Sequence, residues 1–204
     1  MSATKVDVGP HLARRSFAAM MSDAVLGFFI LRQHADAASD STPGSATAGA
    51  PRGARIGHAH LHVRELERST AFYTRILSLR VTEIVGGRFA FLSAGHHHHD
   101  LALQSIGRDA PDAPRGSPGL YHVAFEASDA GSFEELWRAA QAEGVQPAAV
   151  DHGISWALYF DDPDGNGVEI YLDRRHAPEG TALWRGQSSP LTPERVRQSI
   201  GAAE

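Results

Sequence analysis

Apolar and polar residues alternate in two segments of the chain, and each segment leads into a helical pattern. Residues 56–63 read IGHAHLHV and residues 120–125 read LYHVAF, with the period of two expected of a half-buried strand. Residues 65–77 and 132–143 then place apolar side chains at helical spacing. Three further strand patterns follow each helix: 80–85, 88–93 and 100–104 after the first, and 146–150, 156–161 and 167–172 after the second.

This repeated order predicts an internal duplication. Superposing His58 on His122 gives an offset of 64 residues, and the same offset superposes Tyr73 on Trp137, on the apolar face of each helix. We therefore predict an α+β fold in which two tandem βαβββ modules form a cup-shaped sheet with outer helices.

The second helix has the clearest predicted boundaries. Ser132 is the expected N-cap, Glu135 would complete a capping box, and Gly144 would end the helix. Residues 162–166, DPDGN, predict a tight turn between the last two strands, since Pro fixes φ and Gly and Asn tolerate positive φ.

Composition divides the chain into three parts. Residues 36–55 consist largely of Ala, Ser, Gly, Pro and Thr, which is typical of a flexible linker. We expect residues 1–54 to be an N-terminal extension and linker, and residues 55–175 to be the paired βαβββ domain. Residues 176–204 would be a C-terminal tail that docks on the domain or on a partner.

The chain composition limits the chemistry that it can perform. A net charge of −5 argues against nucleic-acid binding, which needs a basic face. There is no cysteine, so a metal would need His, Asp, Glu or backbone oxygen ligands, which suit Fe(II), Mn, Zn or Ni. Nine of the 12 histidines lie between His58 and His152, so this region is the candidate site.

The N-terminal extension carries a weak export signal. Its longest apolar run, residues 24–31, is much shorter than the roughly 20 residues that span a bilayer, so we expect no membrane segment. Arg14-Arg15 before an apolar stretch resembles a twin-arginine signal, but Asp23 interrupts that stretch. We therefore expect a cytoplasmic protein, with export as the alternative.

Three segments together resemble the vicinal oxygen chelate superfamily. They are IGHAHLHVRELERSTAFYTRILSL at 56–79, GLYHVAFEA at 119–127 and DHGISWALYFDDPDGNGVEIY at 151–171. That superfamily includes glyoxalase I, bleomycin-resistance proteins, fosfomycin-resistance thiol transferases and type I extradiol dioxygenases. The chain most resembles the short catechol 2,3-dioxygenase-like members.

The resemblance implies a metal site made of His58, His122 and Glu169. Two neutral imidazoles and one carboxylate can hold one face of an octahedral metal and leave the other face open, as in non-haem Fe(II) oxygenases. The centre would carry a net charge of about +1, which suits a catecholate and O₂. Fe(II) is the expected cofactor, with Mn, Ni or Zn as alternatives.

The same resemblance assigns acid–base and hydrogen-bonding roles. His99, the last histidine of the run at residues 96–99, corresponds to the acid–base histidine, and a one-residue slip would give that role to His98. The first two histidines of the run are expected at a hairpin tip. His152 would hydrogen-bond the bound substrate oxygen. The usual active-site tyrosine position corresponds to Asp161, and Tyr159 on the same strand face is the expected substitute.

Three functions remain open at this point. The first is an Fe(II)-dependent extradiol dioxygenase that takes an aromatic diol and O₂ and forms a homodimer, as the resemblance implies. The second is a glyoxalase-like lyase or a thiol transferase that uses Mn, Ni or Zn, and the third is a non-enzymatic binding protein. Glyoxalase-like enzymes carry a further glutamate on the strand at 101–105; the offset of 64 places the counterpart of Glu169 at Ser105, and no carboxylate lies there.

Overall fold

A computed structural model describes residues 54–114 and 118–201. The Arg14-Arg15 pair and most of the predicted linker lie outside the described residues. The elements in chain order are β1 Ala59–Val63, α1 Leu66–Leu77, β2 Arg80–Val85, β3 Phe89–Ser93, β4 Leu101–Ser105, β5 Val123–Glu126, α2 Ala130–Ala142, β6 Ala148–Asp151, β7 Ser155–Asp161, β8 Gly167–Asp173, β9 Ser189–Pro190 and α3 Pro193–Gly201.

The predicted α+β fold with two βαβββ modules is confirmed. Strands β1 to β4 form a four-stranded sheet in the order β1-β4-β3-β2, and β5 to β9 form a five-stranded sheet in the order β5-β8-β7-β6-β9. The first strand of each module pairs in parallel with the last strand of its βαβββ unit, β1 with β4 and β5 with β8. All other pairings are antiparallel.

Both first strands begin later than the alternating pattern predicts. The ladder of β1 begins at Ala59, opposite Leu101, and the ladder of β5 begins at Val123, opposite Val168. Residues before these positions have no partner strand, so alternation alone overstates the strand length. His58 and His122 therefore each stand immediately before a strand.

The N-cap of α2 differs from the sequence prediction. Asp129, rather than Ser132, is the N-cap, and its Oδ1 accepts a hydrogen bond of 2.7 Å from the backbone N of Ser132. Asp and Ser are about equally good N-caps, and the strand that precedes the helix ends close enough for Asp129 to take this place. Helix α1 ends at Leu77, and its C-cap Ser78 adopts a left-handed conformation with φ 54°.

The two modules share one hydrophobic core. Tyr73 and Ile76 of α1 and Phe133 and Trp137 of α2 are buried, as the helical spacing predicts. The helices pack on each other and on the outer faces of the sheets. The largest fully buried side chains are Trp156, Tyr73, Phe133, Ile76, Leu92, Leu101, Leu103, Leu158, Ile170, Val63, Val168 and Val196.

The tight turn between β7 and β8 fastens the second module to helix α1. Asp164 accepts hydrogen bonds from Arg68 at 2.6 Å, Arg64 at 3.3 Å and the Ser69 hydroxyl at 3.1 Å. Its side chain is only 5% exposed. Burial alone would raise the pKa of Asp164, but the hydrogen bonds from Arg68 and its neighbours outweigh burial and lower it.

The tail adds to the second module. Strand β9 pairs antiparallel with β6, and α3 packs on α2. Val196 of α3 is fully buried and Leu191 is 5% exposed. Within residues 54–114 and 118–201, no helix is long and apolar enough to cross a membrane.

Replacing Asp164 with Ala should lower the free energy of unfolding by about 2–3 kcal/mol, because the buried Ser69 hydroxyl loses its acceptor and Arg64 and Arg68 each lose an ion pair. Since the folded pKa is lowered, this contribution is present above the ordinary aspartate pKa and is lost as the pH falls through the folded value. Denaturant unfolding at neutral and acidic pH measures both effects. Asp112→Ala is the control, since Asp112 pairs with the same Arg64 from an exposed position. Equal losses in both variants would contradict a special role for Asp164.

Candidate active site

One face of the second sheet carries the side chains of the candidate site. Glu169 on β8 is paired with Ala124 on β5 and with Tyr159 on β7. His122 lies two residues before Ala124 and therefore faces the same side as Glu169. His152 follows the end of β6 and faces the same side by the same alternation. The pleat of the sheet thus brings together residues that are far apart in sequence.

These side chains form a continuous hydrogen-bonded chain. The Nε2 atom of His122 lies 2.9 Å from Oε2 of Glu169, and the Tyr159 hydroxyl donates to Oε1 of Glu169 at 2.8 Å. The Nε2 atom of His152 lies 2.9 Å from the Tyr159 hydroxyl oxygen. At the far end, Nδ1 of His152 lies 2.7 Å from the Ser188 hydroxyl.

The Glu169 carboxylate determines which atom donates in each hydrogen bond from Tyr159 to Ser188. Glu169 can only accept, so the single hydroxyl hydrogen of Tyr159 is donated to it. The Tyr159 oxygen must then accept from His152, which places a hydrogen on Nε2 of that imidazole. In the neutral ring Nδ1 is the acceptor, and the Ser188 hydroxyl donates to it.

Burial shifts two of these groups away from their charged forms. Burial, followed by the hydrogen bond to Glu169 and its charge, raises the pKa of Tyr159 well above its usual value. Burial also lowers the pKa of His152, and the charges of Glu169 and Asp151 only partly oppose that shift. Both groups are therefore neutral near pH 7, which suits hydrogen bonding rather than charge pairing.

The tyrosine beside the carboxylate is Tyr159. Asp161 lies on the same strand face but is paired with Gly167, one pleat nearer the turn. The Tyr159 hydroxyl reaches Glu169 directly, so the substitution expected from the sequence is consistent with the geometry.

A second cluster lies in the first module. The rings of His58 and His99 are 4.5 Å apart, and Phe91 lies 4.9 Å from His99. His98 is exposed: its Nε2 lies 3.3 Å from a carboxylate oxygen of Glu83, and its Nδ1 lies 3.0 Å from Nδ1 of His99. Burial, followed by the charge of His58, lowers the pKa of His99. Of the four consecutive histidines, His99 is therefore the one next to the predicted ligand His58.

The other histidines of the run lie in an ordered loop. His96 and His97 are exposed, between β3 and β4. The loop is closed by Asp100, whose Oδ2 accepts from the backbone N of Ala94 at 2.8 Å, and by the Ser93 hydroxyl, which donates to the carbonyl of His97 at 2.8 Å.

In the first module, Ala102 is the counterpart of Glu169. The prediction that Ser105 takes this place is wrong. Glu169 pairs with Ala124, and the equivalent pair in the first module joins His60 to Ala102. The offset is therefore 169 − 102 = 67 residues on these strands rather than 64, because the second module has three more residues between its paired first and last strands. Alanine is not a ligand, so this position still lacks a carboxylate.

The donor atoms of His122 and Glu169 fit one metal ion. Two ligands that bind at about 2.1 Å and at right angles lie about 3 Å apart, close to the 2.9 Å between Nε2 and Oε2. His58, the third predicted ligand, belongs to the other cluster. Across residues 54–114 and 118–201, no three histidine or acidic side chains are close enough together to hold a metal ion.

The model of the Glyoxalase/Bleomycin resistance protein/Dioxygenase superfamily matches residues 55–170. The chain belongs to this superfamily. One relative is biphenyl-2,3-diol 1,2-dioxygenase 2 of Rhodococcus globerulus, 29% identical over 65% of this chain and 70% of that protein. Another is catechol-2,3-dioxygenase of Bacillus subtilis (strain 168), 35% identical over 58% of this chain. The match spans only 41% of that second protein.

The chain also resembles solved structures. The lactoylglutathione lyase from Agrobacterium tumefaciens aligns with a TM-score of 0.48 and 22% sequence identity, over 62% of this chain and 99% of that chain.

Ser188 is the one member of the hydrogen-bonded chain that the sequence did not predict. It lies in the tail, 36 residues after His152, and a single serine carries no periodic signal. The sequence hints are the apolar Trp184 and Leu191 of the tail, of which Leu191 anchors this segment by its burial.

In the metal-free protein, Glu169→Gln should lower the pKa of Tyr159 towards its ordinary value, because the charge and the carboxylate acceptor that raise it are removed. Carbon-13 NMR of labelled tyrosine rings, followed across a pH titration, measures this pKa. Glu126→Gln is the matched control, since Glu126 accepts from the Tyr171 hydroxyl at 3.0 Å and should change Tyr171 instead. An unchanged Tyr159 titration in Glu169→Gln would show that the hydrogen bond does not form.

Proposed function

We propose that this protein is an Fe(II)-dependent extradiol dioxygenase that cleaves a catechol-like aromatic diol. The observation that supports this proposal most directly is the arrangement of His122 and Glu169, whose donor atoms lie 2.9 Å apart, beside the His152–Tyr159 pair. A metal-binding carboxylate next to two neutral hydrogen-bonding groups suits a substrate that binds through adjacent oxygens. The dioxygenase names of the two relatives favour the same reaction.

In this proposal His58, His122 and Glu169 would hold the iron, which would supply the binding site for the diol and O₂. Tyr159 orients the carboxylate through its hydroxyl. When the diol binds, His152 turns its Nε2 hydrogen from the Tyr159 oxygen to a substrate oxygen. His99, whose lowered pKa keeps it neutral, accepts the proton released by the diol and returns it as the ring opens.

Two alternatives use the same fold. A lyase or thiol transferase would use Mn, Ni or Zn and consume no oxygen, and a binding protein would need no metal. Ala102 disfavours a four-ligand glyoxalase-type site, since it offers no carboxylate opposite His60. A three-ligand transferase is consistent with Ala102. Metal preference and oxygen consumption therefore distinguish the dioxygenase from the alternative functions.

We further propose that a second copy of the chain completes the site. The inner face of the first module presents His58, His60 and His62 in exposed positions. His58 and His122 occupy equivalent places in the two modules, immediately before β1 and β5. If the first module of one chain faces the second module of another, His58 meets the His122–Glu169 pair of its partner. A C₂ dimer then contains two equivalent sites.

Anaerobically purified protein loaded with Fe(II) should hold close to one iron per chain and consume O₂ in the presence of catechol. Glu169→Ala should weaken iron binding at least about tenfold, because the only carboxylate ligand is lost. Glu126→Ala, on the neighbouring β5, is the control and should leave iron content unchanged. Preferential retention of Mn, Ni or Zn without oxygen uptake would support the alternative enzymes. No tight metal in the wild type would rule out both enzyme classes.

The shared site can be tested by mixing two inactive variants, His58→Ala and Glu169→Ala. A mixed dimer has one site with both substitutions and one intact site. Since random exchange makes about half of the dimers mixed, the mixture should recover about a quarter of the wild-type iron content and oxygen uptake. If both ligands of a site came from one chain, no recovery would follow. Size-exclusion chromatography before and after exchange confirms that the dimers re-form.

A further inference from the structure

Residues 181–190 of the tail, here named the tail strap, lie across the outer end of the hydrogen-bonded chain. The Ser188 hydroxyl lies 2.7 Å from Nδ1 of His152. The Trp184 ring meets the His152 ring edge to face, with centroids 6.0 Å apart and an interplanar angle of 85°. His152 is therefore held by the strap on one side and by Tyr159 on the other.

The tail strap is fixed at both ends. At its start, the backbone N of Thr181 donates to the carbonyl of Gly153 at 3.1 Å. Gly153 has φ +77°, and a Cβ at this position would lie 2.8 Å from Oγ1 of Thr181. The close approach therefore requires glycine.

At its other end, the strap becomes strand β9, where Ser189 pairs with Asp151 and Pro190 with Val150. Beyond β9, Arg195 of α3 forms an ion pair of 2.5 Å with Asp151, which is 7% exposed. A segment anchored in this way can hold a hydroxyl at a fixed position.

The middle of the strap does not pack flat on the sheet. A cavity of about 340 Å³ lies between it and the loop after β6, and it borders His152. Leu183, Arg185, Gln187 and Ser188 line the strap side of this cavity. The strap therefore reaches His152 through Ser188 and Trp184 rather than through a continuous packed surface.

We propose that the tail strap is part of the active site, and that Ser188 is a positioning residue that holds the His152 imidazole with its hydrogen on Nε2. This inference deepens the proposed function and rests on it for its catalytic meaning, because His152 must donate from Nε2 to hydrogen-bond a substrate oxygen. The family model matches residues 55–170, so the strap lies outside the segment that the model matches.

The geometry explains why a donor is needed at Nδ1. A neutral imidazole carries its hydrogen on either nitrogen, and a hydroxyl that donates to Nδ1 stabilises the form with the hydrogen on Nε2. Glu169 enforces the same form from the other end through Tyr159. Ser188 and Glu169 thus act on one imidazole from opposite sides, and Trp184 limits the rotation of the ring.

The test compares Ser188→Ala with the wild type in two measurements. Ring nitrogen-15 NMR of the metal-free protein, with His152→Gln used to assign the signal, reports which nitrogen of His152 carries the hydrogen. Loss of the Ser188 hydrogen bond should shift the tautomer equilibrium of His152 about fivefold towards the form with the hydrogen on Nδ1. With Fe(II) and catechol, kcat should fall about fivefold while iron content stays at the wild-type value.

Two further variants separate positioning from general damage. Ser188→Thr keeps the hydroxyl and should restore both the NMR signal and kcat. Ser199→Ala removes another tail hydroxyl, which accepts from Arg174 at 3.2 Å, and should change neither. Thermal unfolding of all three variants shows whether the tail remains docked.

The outcomes distinguish this inference from the proposed function. A His152 equilibrium that Ser188→Ala leaves unchanged would overturn the positioning role, and so would a changed equilibrium with unchanged kcat in an active enzyme. A shifted equilibrium in a protein that cleaves no diol would support the positioning of His152 while the dioxygenase proposal failed.

Discussion

The buried carboxylate of Asp162 is the constraint on which the site depends. It accepts hydrogen bonds from the backbone N of Asp164 at 2.9 Å and of Asn166 at 2.8 Å, which closes the turn between β7 and β8. This turn fixes the register that places Tyr159 opposite Glu169. The same carboxylate accepts the Tyr73 hydroxyl of α1 at 3.0 Å, so the turn also holds the two modules together. A slip of one residue at this turn would send Glu169 to the other face of the sheet.

The amino-acid pattern was enough to predict the two modules, because strand and helix periods are local and occur twice. It also predicted His122, Glu169, Tyr159 and His152 as site residues, and the structure brings these four into one hydrogen-bonded chain. Other features depend on information that periodicity does not carry. The counterpart of Glu169 was misplaced because loop lengths differ between the modules.

The contribution of the tail could not be predicted for a different reason. The contact between Ser188 and His152 joins two segments that no shared pattern relates, and it exists because β9 adds to the edge of β6. The separation of His58 from His122 has a similar origin. Each histidine is placed by its own module, and the relative orientation of the modules depends on contacts such as Tyr73 to Asp162, which periodicity does not predict.

Ala102 makes the two modules of the duplicated fold chemically different at the site. Two equivalent modules could supply two carboxylates and a site with matching halves, but a methyl group occupies the place that corresponds to Glu169. The strand that carries this methyl group is β4, which begins two residues after His99. The missing ligand therefore lies on the strand that directly follows the proposed acid–base histidine. Under the proposed function, one side of the site carries the Glu169 carboxylate and the other side carries none. A planar substrate can then bind between the two sides in only one orientation.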